Sequence, residues 1–508
     1  MMNSIKASLF HTLAIIGSVH ACLGEHAHEM SERGTIVARQ AVPAANPASL
    51  AITNVLVFDG TFFAGPQTVV MNGGIIVDNT TNVNTTIDAS GKYLIPGLID
   101  AHAHPPNISA LQNLTSYGVT TVLNMGCSNY TLCNSLKDVP GLTSLLTAGI
   151  PAIGPNSTHA ELYQAQSPSG NFTNLFYGPS QAPSAVAYAF GNGSDFYKII
   201  AETNGPSIDS QIALVQNTRA LNKQSMTHAS YLAAYQQAIV SVTDGIQHLP
   251  QDGLLNQSMV DAILSNGQFV TPTVTVFQYD YSQPAILHGL NTPSNATKQL
   301  DWVFNNARML YNAGVPFLAG TDAIGDTTTY EFPFGLTLHQ ELQNFVEQIG
   351  MSPAEAIRAA TSTSAQHLRM DDRGAIAPGL RADLLLLNSN PLDDIKNTLD
   401  IAQVWAGGIQ YNQFAVTSPN STSALPPTLS STTLGSTTTS AQSNTTAPTG
   451  SWTTTTSTST YPTSTPPSNW TSVAPYIPGP SGAASSLSPA GSLIVGCLPC
   501  LGAILLCT

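Results

Sequence analysis

From Leu98 onward, short apolar runs alternate with stretches of helical period, and this alternation constrains the fold more than any other feature. Strand-like runs near Met226 and Ile246 bracket an Ala-rich helical stretch over residues 231–242, and residues 259–264 form another before an apolar run at 269–276. Leu300, Val303, Phe304, Ala307 and Tyr311 recur at helical spacing up to Gly314, which suits a helix end, and a strand follows from Pro316. Ser352 and Glu355 frame Pro353 as a capping box, opening a helix expected to reach about Leu368. Such βα units in series predict an α/β fold with a parallel sheet, and residues 96–375 can hold a (β/α)8 TIM-like barrel.

The flanks read differently. Residues 50–58, 68–70 and 75–77 alternate as strands, with Gly73-Gly74 as a hairpin turn, and strands return at 382–387, 402–406 and 409–414. Both chain ends are therefore expected to pair into one small β-sandwich domain, residues 47–95 plus 376–415, with the barrel inserted between its halves. Residues 416–482 are rich in Ser and Thr and cannot bury a core, which predicts an O-glycosylated stalk.

Lys6 before an apolar run from Ala7 to Val19 predicts a signal peptide over residues 1–21, followed by a flexible segment to residue 46. Small residues at 481–484 ahead of an apolar tail from Leu493 predict a GPI-anchor signal over 483–508. Asn-x-Ser/Thr sequons occur at Asn79, Asn84, Asn107, Asn113, Asn129, Asn156, Asn171, Asn192, Asn256, Asn295, Asn420, Asn444 and Asn469. The expectation is a glycoprotein of the secretory pathway, extracellular and held at the membrane only through that anchor. Cys127 and Cys133 are then the pair left to the folded part, expected to form a disulfide in an oxidising compartment. Only 9% of residues are charged and the net charge is −14, which argues against nucleic acid as a partner.

The run Leu-Ile-Pro-Gly-Leu-Ile-Asp-Ala-His-Ala-His over residues 94–104 is an apolar strand whose last alternate residues are His102 and His104. Period two puts both imidazoles on one face, where they can chelate a metal. Residues 96–104 resemble the first-strand signature of the amidohydrolase superfamily, especially its imidazolonepropionase-like and prolidase-like branch. Further matches follow in chain order at residues 118–122, at 195–200, at Thr227-His228-Ala229, at 245–248 and at Gly320-Thr321-Asp322-Ala323. The resemblance covers residues 50 to 414.

It implies a two-metal site held by His102, His104, Lys198, His228, His248 and Asp322, with Lys198 carbamylated by carbon dioxide so that it bridges the cations. The alternative for Lys198 is a salt bridge to a neighbour such as Asp195. Imidazole ligands favour zinc. Asp322 is the expected general base, taking a proton from water and passing it to the leaving group. His159 is a candidate for the substrate cleft, and His339, which resembles the family's histidine before Glu341-Leu342, has no assigned role.

The leading reading is a binuclear hydrolase acting on amide-type bonds of small-molecule substrates such as dipeptides or N-acyl amino acids; homo-oligomers are compatible with it. The rivals are a mononuclear deaminase or imidazolonepropionase, a lactonase or esterase, and a surface glycoprotein without turnover.

Overall fold

A computed structural model of the chain describes residues 49–78, 83–127, 129–166, 175–282, 296–325 and 332–412. The signal peptide, the segment 22–46, the stalk, the anchor signal and the sequons at Asn79, Asn171, Asn295, Asn420, Asn444 and Asn469 lie outside the described residues.

Alternating apolar residues near the N-terminus form β1 (Leu50–Phe58), β2 (Phe63–Asn72), β3 (Ile75–Val77), β4 (Thr85–Asp88) and β5 (Tyr93–Pro96). The parallel region contributes β6 (Leu98–Ala103), β7 (Val119–Asn124), β8 (Ser144–Thr147), β9 (Tyr197–Ile200), β10 (Ser225–His228), β11 (Gly245–Gln247) and β12 (Phe269–Thr271). The C-terminal strands are β13 (Leu384–Leu387), β14 (Ile401–Ala406) and β15 (Ile409–Gln410). Strands from both ends of the described region belong to one sheet in the order β15-β14-β13-β5-β1-β2-β3, with β4 on β1. Leu384 stands opposite Pro96 in the antiparallel β13–β5 ladder. Ile52, Val55, Met71, Leu94, Leu384 and Trp405 form its separate apolar cluster, each such side chain stabilising the fold by about 1.5–3 kcal/mol on burial.

Between these ends the chain is a mixed α/β unit. Helices α1 (Ile108–Ser116), α2 (Tyr130–Ser135), α3 (Thr158–Gln166), α4 (Ala182–Gly191), α5 (Ile208–Ala220), α6 (Leu232–Ser241) and α7 (Gln257–Asn266) follow the strands. After β12 come α8 (Val274–Ser282), α9 (Ala296–Asn312), α10 (Leu336–Asn344), α11 (Pro353–Ala359) and α12 (Ser362–His367). Strands β6-β7-β8 form one parallel sheet and β9-β10-β11-β12 another. Main-chain bonds join the two at both edges. Asp195 N donates to Thr147 O and Ala152 N to Lys198 O on one side. On the other, residues 316–323 bridge from Val270, through Leu318 N to Val270 O, back to β6 through Ala101 N to Ala319 O.

Three expected elements differ. Residues 316–319, expected as a strand, form only an isolated bridge, Phe317 to Val270. The apolar run at 269–276 is strand only to Thr271, and α8 starts at Val274. The helix opened by the Ser352–Glu355 capping box stops at Ala359 instead of running on to Leu368. Ala359 O and Ala360 O accept from Ala319 N and Ile99 N, so the strands take the carbonyls that a longer helix would need.

Cationic side chains are engaged away from the strand ends that carry the histidines. Lys137, Arg373, Arg381 and Lys396 pair with Asp195, Asp372, Asp383 and Glu347, while Arg219 and Arg369 share Asp244.

Candidate metal centre

Strand β6 sets Asp100, His102 and His104 on one face by its period of two, and all three are buried. Asp100 accepts from His102 N at 3.1 Å, Thr321 N at 3.1 Å and the Thr321 hydroxyl at 2.8 Å, stitching β6 to residues 316–323. Burial raises its pKa to about 6 against the pull of the Thr321 hydrogen bonds. The stitch puts Asp322 opposite the histidines: His102 Nε2 and His104 Nε2 each lie 3.1 Å from Asp322 Oδ1. His248 Nδ1 is 3.8 Å from Asp322 Oδ2.

Ring centroids continue the cluster, 4.7 Å from His102 to His248, 4.5 Å from His248 to His228 and 5.0 Å from His228 to His159. His248 and Asp322 both adopt positive φ, 73° and 63°, as does Thr273 at 48°. Non-glycine residues enter this region at a cost of about 1–3 kcal/mol where the surroundings over-determine it, often at functional sites.

Lys198 is fully buried on β9, where it stands opposite Met226 in the β10 register. Its neighbours Tyr197 and Ile199 pack outward with Leu214 and Val215, so alternation turns Lys198 inward, to the side of Met226 and His228. The alternative partner, Asp195, is engaged elsewhere: its carboxylate accepts from Lys137 Nζ and Thr147 N.

Several contributors carry no motif. His102 Nδ1 donates to Gln247 Oε1 at 2.8 Å, and His248 Nδ1 lies 2.8 Å from the Thr273 hydroxyl. Glu202 Oε1 accepts from the backbone N of His159 at 3.0 Å and forms an ion pair with its Nδ1, also at 3.0 Å. Burial works against the Glu202 carboxylate, yet the charge of His159 and these bonds bring its pKa below the usual glutamate range. A side chain at Gly320 would strike Thr271 Cγ2 at 2.4 Å and His102 N at 2.9 Å, so glycine lets the strands approach there. A polar Gln within an apolar strand and a lone acid four residues past Lys198 were the available sequence signals.

His159 opens α3 and is fully buried. Tyr163, four residues on, shares its face; its hydroxyl would stand 3.2 Å from a Cβ at Gly126, with His104 Cε1 3.6 Å from the same point. His339 is apart from the cluster, its Nε2 donating to Tyr117 O and its Nδ1 2.9 Å from the Thr398 hydroxyl. Cys127 and Cys133 are joined by a disulfide with Cα atoms 6.5 Å apart.

The residue types test the site for a cation. With its Nδ1 proton on Gln247, His102 turns the Nε2 lone pair toward a carboxylate oxygen, two acceptors at 3.1 Å that repel unless a positive charge joins them. His102, His104 and Asp322 bring one ligand atom each within 4.8 Å of one another, which fits a metal ion. Fold and site together define a class, an α/β protein with a candidate metal centre of strand-end histidines and an aspartate. Residues 192–410 match the amidohydrolase family. The chain is 25% identical over 343 residues to an adenine deaminase of Lactobacillus delbrueckii subsp. bulgaricus, covering 64% of this chain and 51% of that protein. An imidazolonepropionase of Mycolicibacterium smegmatis is 23% identical over 380 residues, 65% of this chain and 88% of that protein. Among solved structures, a Xaa-Pro dipeptidase with methionine in its active site superposes with a TM-score of 0.63 at 22% identity, over 72% of this chain and all of that one. Residues 192–410 therefore carry the likeness to the amidohydrolase family, with imidazolonepropionases and adenine deaminases as relatives and prolidase-like structures as fold neighbours. It spans about half the length of the adenine deaminases it matches.

Proposed function

We propose that this protein is a metal-dependent hydrolase cleaving an amide-type C–N bond in small molecules, and that Asp322 is its general base. The observation that carries this reading is the meeting of His102 Nε2 and His104 Nε2 on one oxygen of Asp322. Dipeptides and N-acyl amino acids are the substrate types that the family resemblance brings. We read the strand circuit β6 to β12 with residues 316–323 as a (β/α)8 barrel; beside it, the strands expected to form a small sandwich make one sheet around their own apolar cluster.

In this reading His102, His104, Lys198, His228, His248 and Asp322 would hold two zinc ions, Lys198 as a carbamate. Supporting the bridge, Lys198 faces inward on β9 beside the strand of His228, and Asp195 is already paired with Lys137. The ions, when bound, lower the pKa of a water toward 7 and polarise the scissile carbonyl. Asp322, beside both histidines, would take a proton from the attacking water and give it to the leaving nitrogen. Gln247 fixes the tautomer of His102, and Thr273 holds the ring of His248.

A second reading has its own support, since His102, His104 and Asp322 already form a three-ligand group. A single-ion enzyme of the deaminase or imidazolonepropionase type would need no more. Metal analysis of the purified chain separates the two: two ions per chain, falling on Lys198→Ala with loss of amide hydrolysis, is expected. One ion, with Lys198→Ala fully active, establishes the second reading. Hydrolysis unaffected by a chelator removes both.

A further inference from the structure

A free dipeptide or N-acyl amino acid carries a carboxylate beside the bond to be cut. Bringing that charge out of water costs several kcal/mol unless a cation, most often a bidentate arginine, receives it. The chain holds only fifteen Lys and Arg; Lys6, Arg33 and Arg39 precede residue 49, and the segments after residue 49 that the structure leaves undescribed contain none. Every other lysine and arginine can therefore be placed.

Six of them are in the ion pairs given above. Lys223 lies over Phe190 and Lys298 over Trp302. Lys92, Arg308 and Arg358 donate to Asn388 Oδ1, Gln348 O and Gly60 O. The remaining one, Lys198, sits within the candidate metal centre. Among the described residues, then, no arginine is committed to the strand ends where His102, His228, His248 and Asp322 meet. An acid outside the candidate ligands borders this cluster: Glu202, 8% exposed at its side chain, is paired with His159, whose ring lies 5.0 Å from that of His228.

We infer that the site takes substrates with no carboxylate next to the scissile bond, uncharged amides, carbamates, ureas or esters, and that Glu202 enforces this by repelling acids. The inference rests on the hydrolase reading and narrows it, turning from free dipeptides and N-acyl amino acids to their neutral derivatives. Glu202 is a specificity residue acting on the site through its field and through its pairing with His159.

Matched pairs test it on the zinc-loaded full chain: N-acetylphenylalanine against its amide, and N-acetylglycylphenylalanine against its amide. The neutral member should have the higher kcat/KM by about tenfold or more, and Glu202→Gln should shrink that ratio severalfold. Calorimetry on Asp322→Asn supplies a readout without turnover, where the amides should bind more tightly than the acids. Acids preferred in turnover or in binding overturn the inference, as does a ratio unmoved by Glu202→Gln. Amides that bind selectively while neither member is hydrolysed would support the inference and count against the hydrolase reading, so the two fail separately.

Discussion

Asp322 touches both strand-end histidines with one oxygen, approaches His248 with the other, and keeps a backbone conformation that few aspartates adopt. Asp322→Asn keeps the shape and a carbonyl ligand but loses the proton acceptor. Its kcat should drop by about 10²–10⁴-fold with most of the metal retained, measured by steady-state rates alongside elemental analysis. Gly320 offers a different test, because a methyl there must displace Thr271 or the backbone of His102. Gly320→Ala should cost about 1–3 kcal/mol in urea unfolding and lower metal content, whereas an unchanged midpoint would show that the strands can part. His339 reports on pH. Burial lowers its pKa from 6.5 to about 4, so protonation favours the unfolded chain. Its stability contribution is complete above pH 6.5 and is lost as pH falls toward 4, about 3 kcal/mol in all. His339→Asn should flatten the fall of Tm across that window. His102 and His104 were readable as candidates from strand alternation, and Lys198, His228, His248 and Asp322 through the family resemblance. Gln247, Thr273 and Glu202 were not, since each matters through a partner far along the chain.

At the scale of elements, α10 works as a strut. Outward, His339 ties it to Tyr117 and Thr398. Inward, Glu341 accepts from Val274 N at 3.0 Å, Thr275 N at 2.8 Å and the Thr275 hydroxyl at 2.5 Å, capping α8 from another helix. Burial holds Glu341 up at about pKa 8 despite these bonds. This cap explains why the apolar run at 269–276 does not continue as a strand: hydrophobic period cannot reveal a carboxylate arriving from a remote helix. Because Thr273 directly precedes α8 and touches His248, the cap also fixes a candidate ligand. Glu341→Ala strands two buried N–H groups and a hydroxyl, and should destabilise the fold by about 2–5 kcal/mol. Thr273→Val should leave Tm nearly unchanged while weakening zinc affinity by about 10–100-fold; equal zinc affinity in a chelator competition would remove Thr273 from the support of the site.

For the molecule as a whole, candidate ligands come from both parallel sheets and from residues 316–323, so an ion between them would tie separate elements together. Occupancy at about a thousand times Kd is worth about 4 kcal/mol of stability. Stripping zinc should therefore lower Tm by several degrees, with recovery on adding zinc back, and an identical melting curve would mean that no ion binds the folded state. The alternation of strands and helices was plain in the sequence because each unit is local. The joining of the two parallel sheets was not, since it depends on single bridges such as Ala152 to Ile199 and Val270 to Phe317.

The antiparallel ladder between β5 and β13 has a consequence for biosynthesis. Tyr93 through Pro96 leave the ribosome long before Leu384 through Leu387 exist to pair with them. Until then one side of β5 is an open edge, and nascent or truncated polypeptides that stop before β13 carry it exposed. Premature termination late in translation is thus expected to yield aggregating, chaperone-bound chains even when every candidate ligand has already been synthesised.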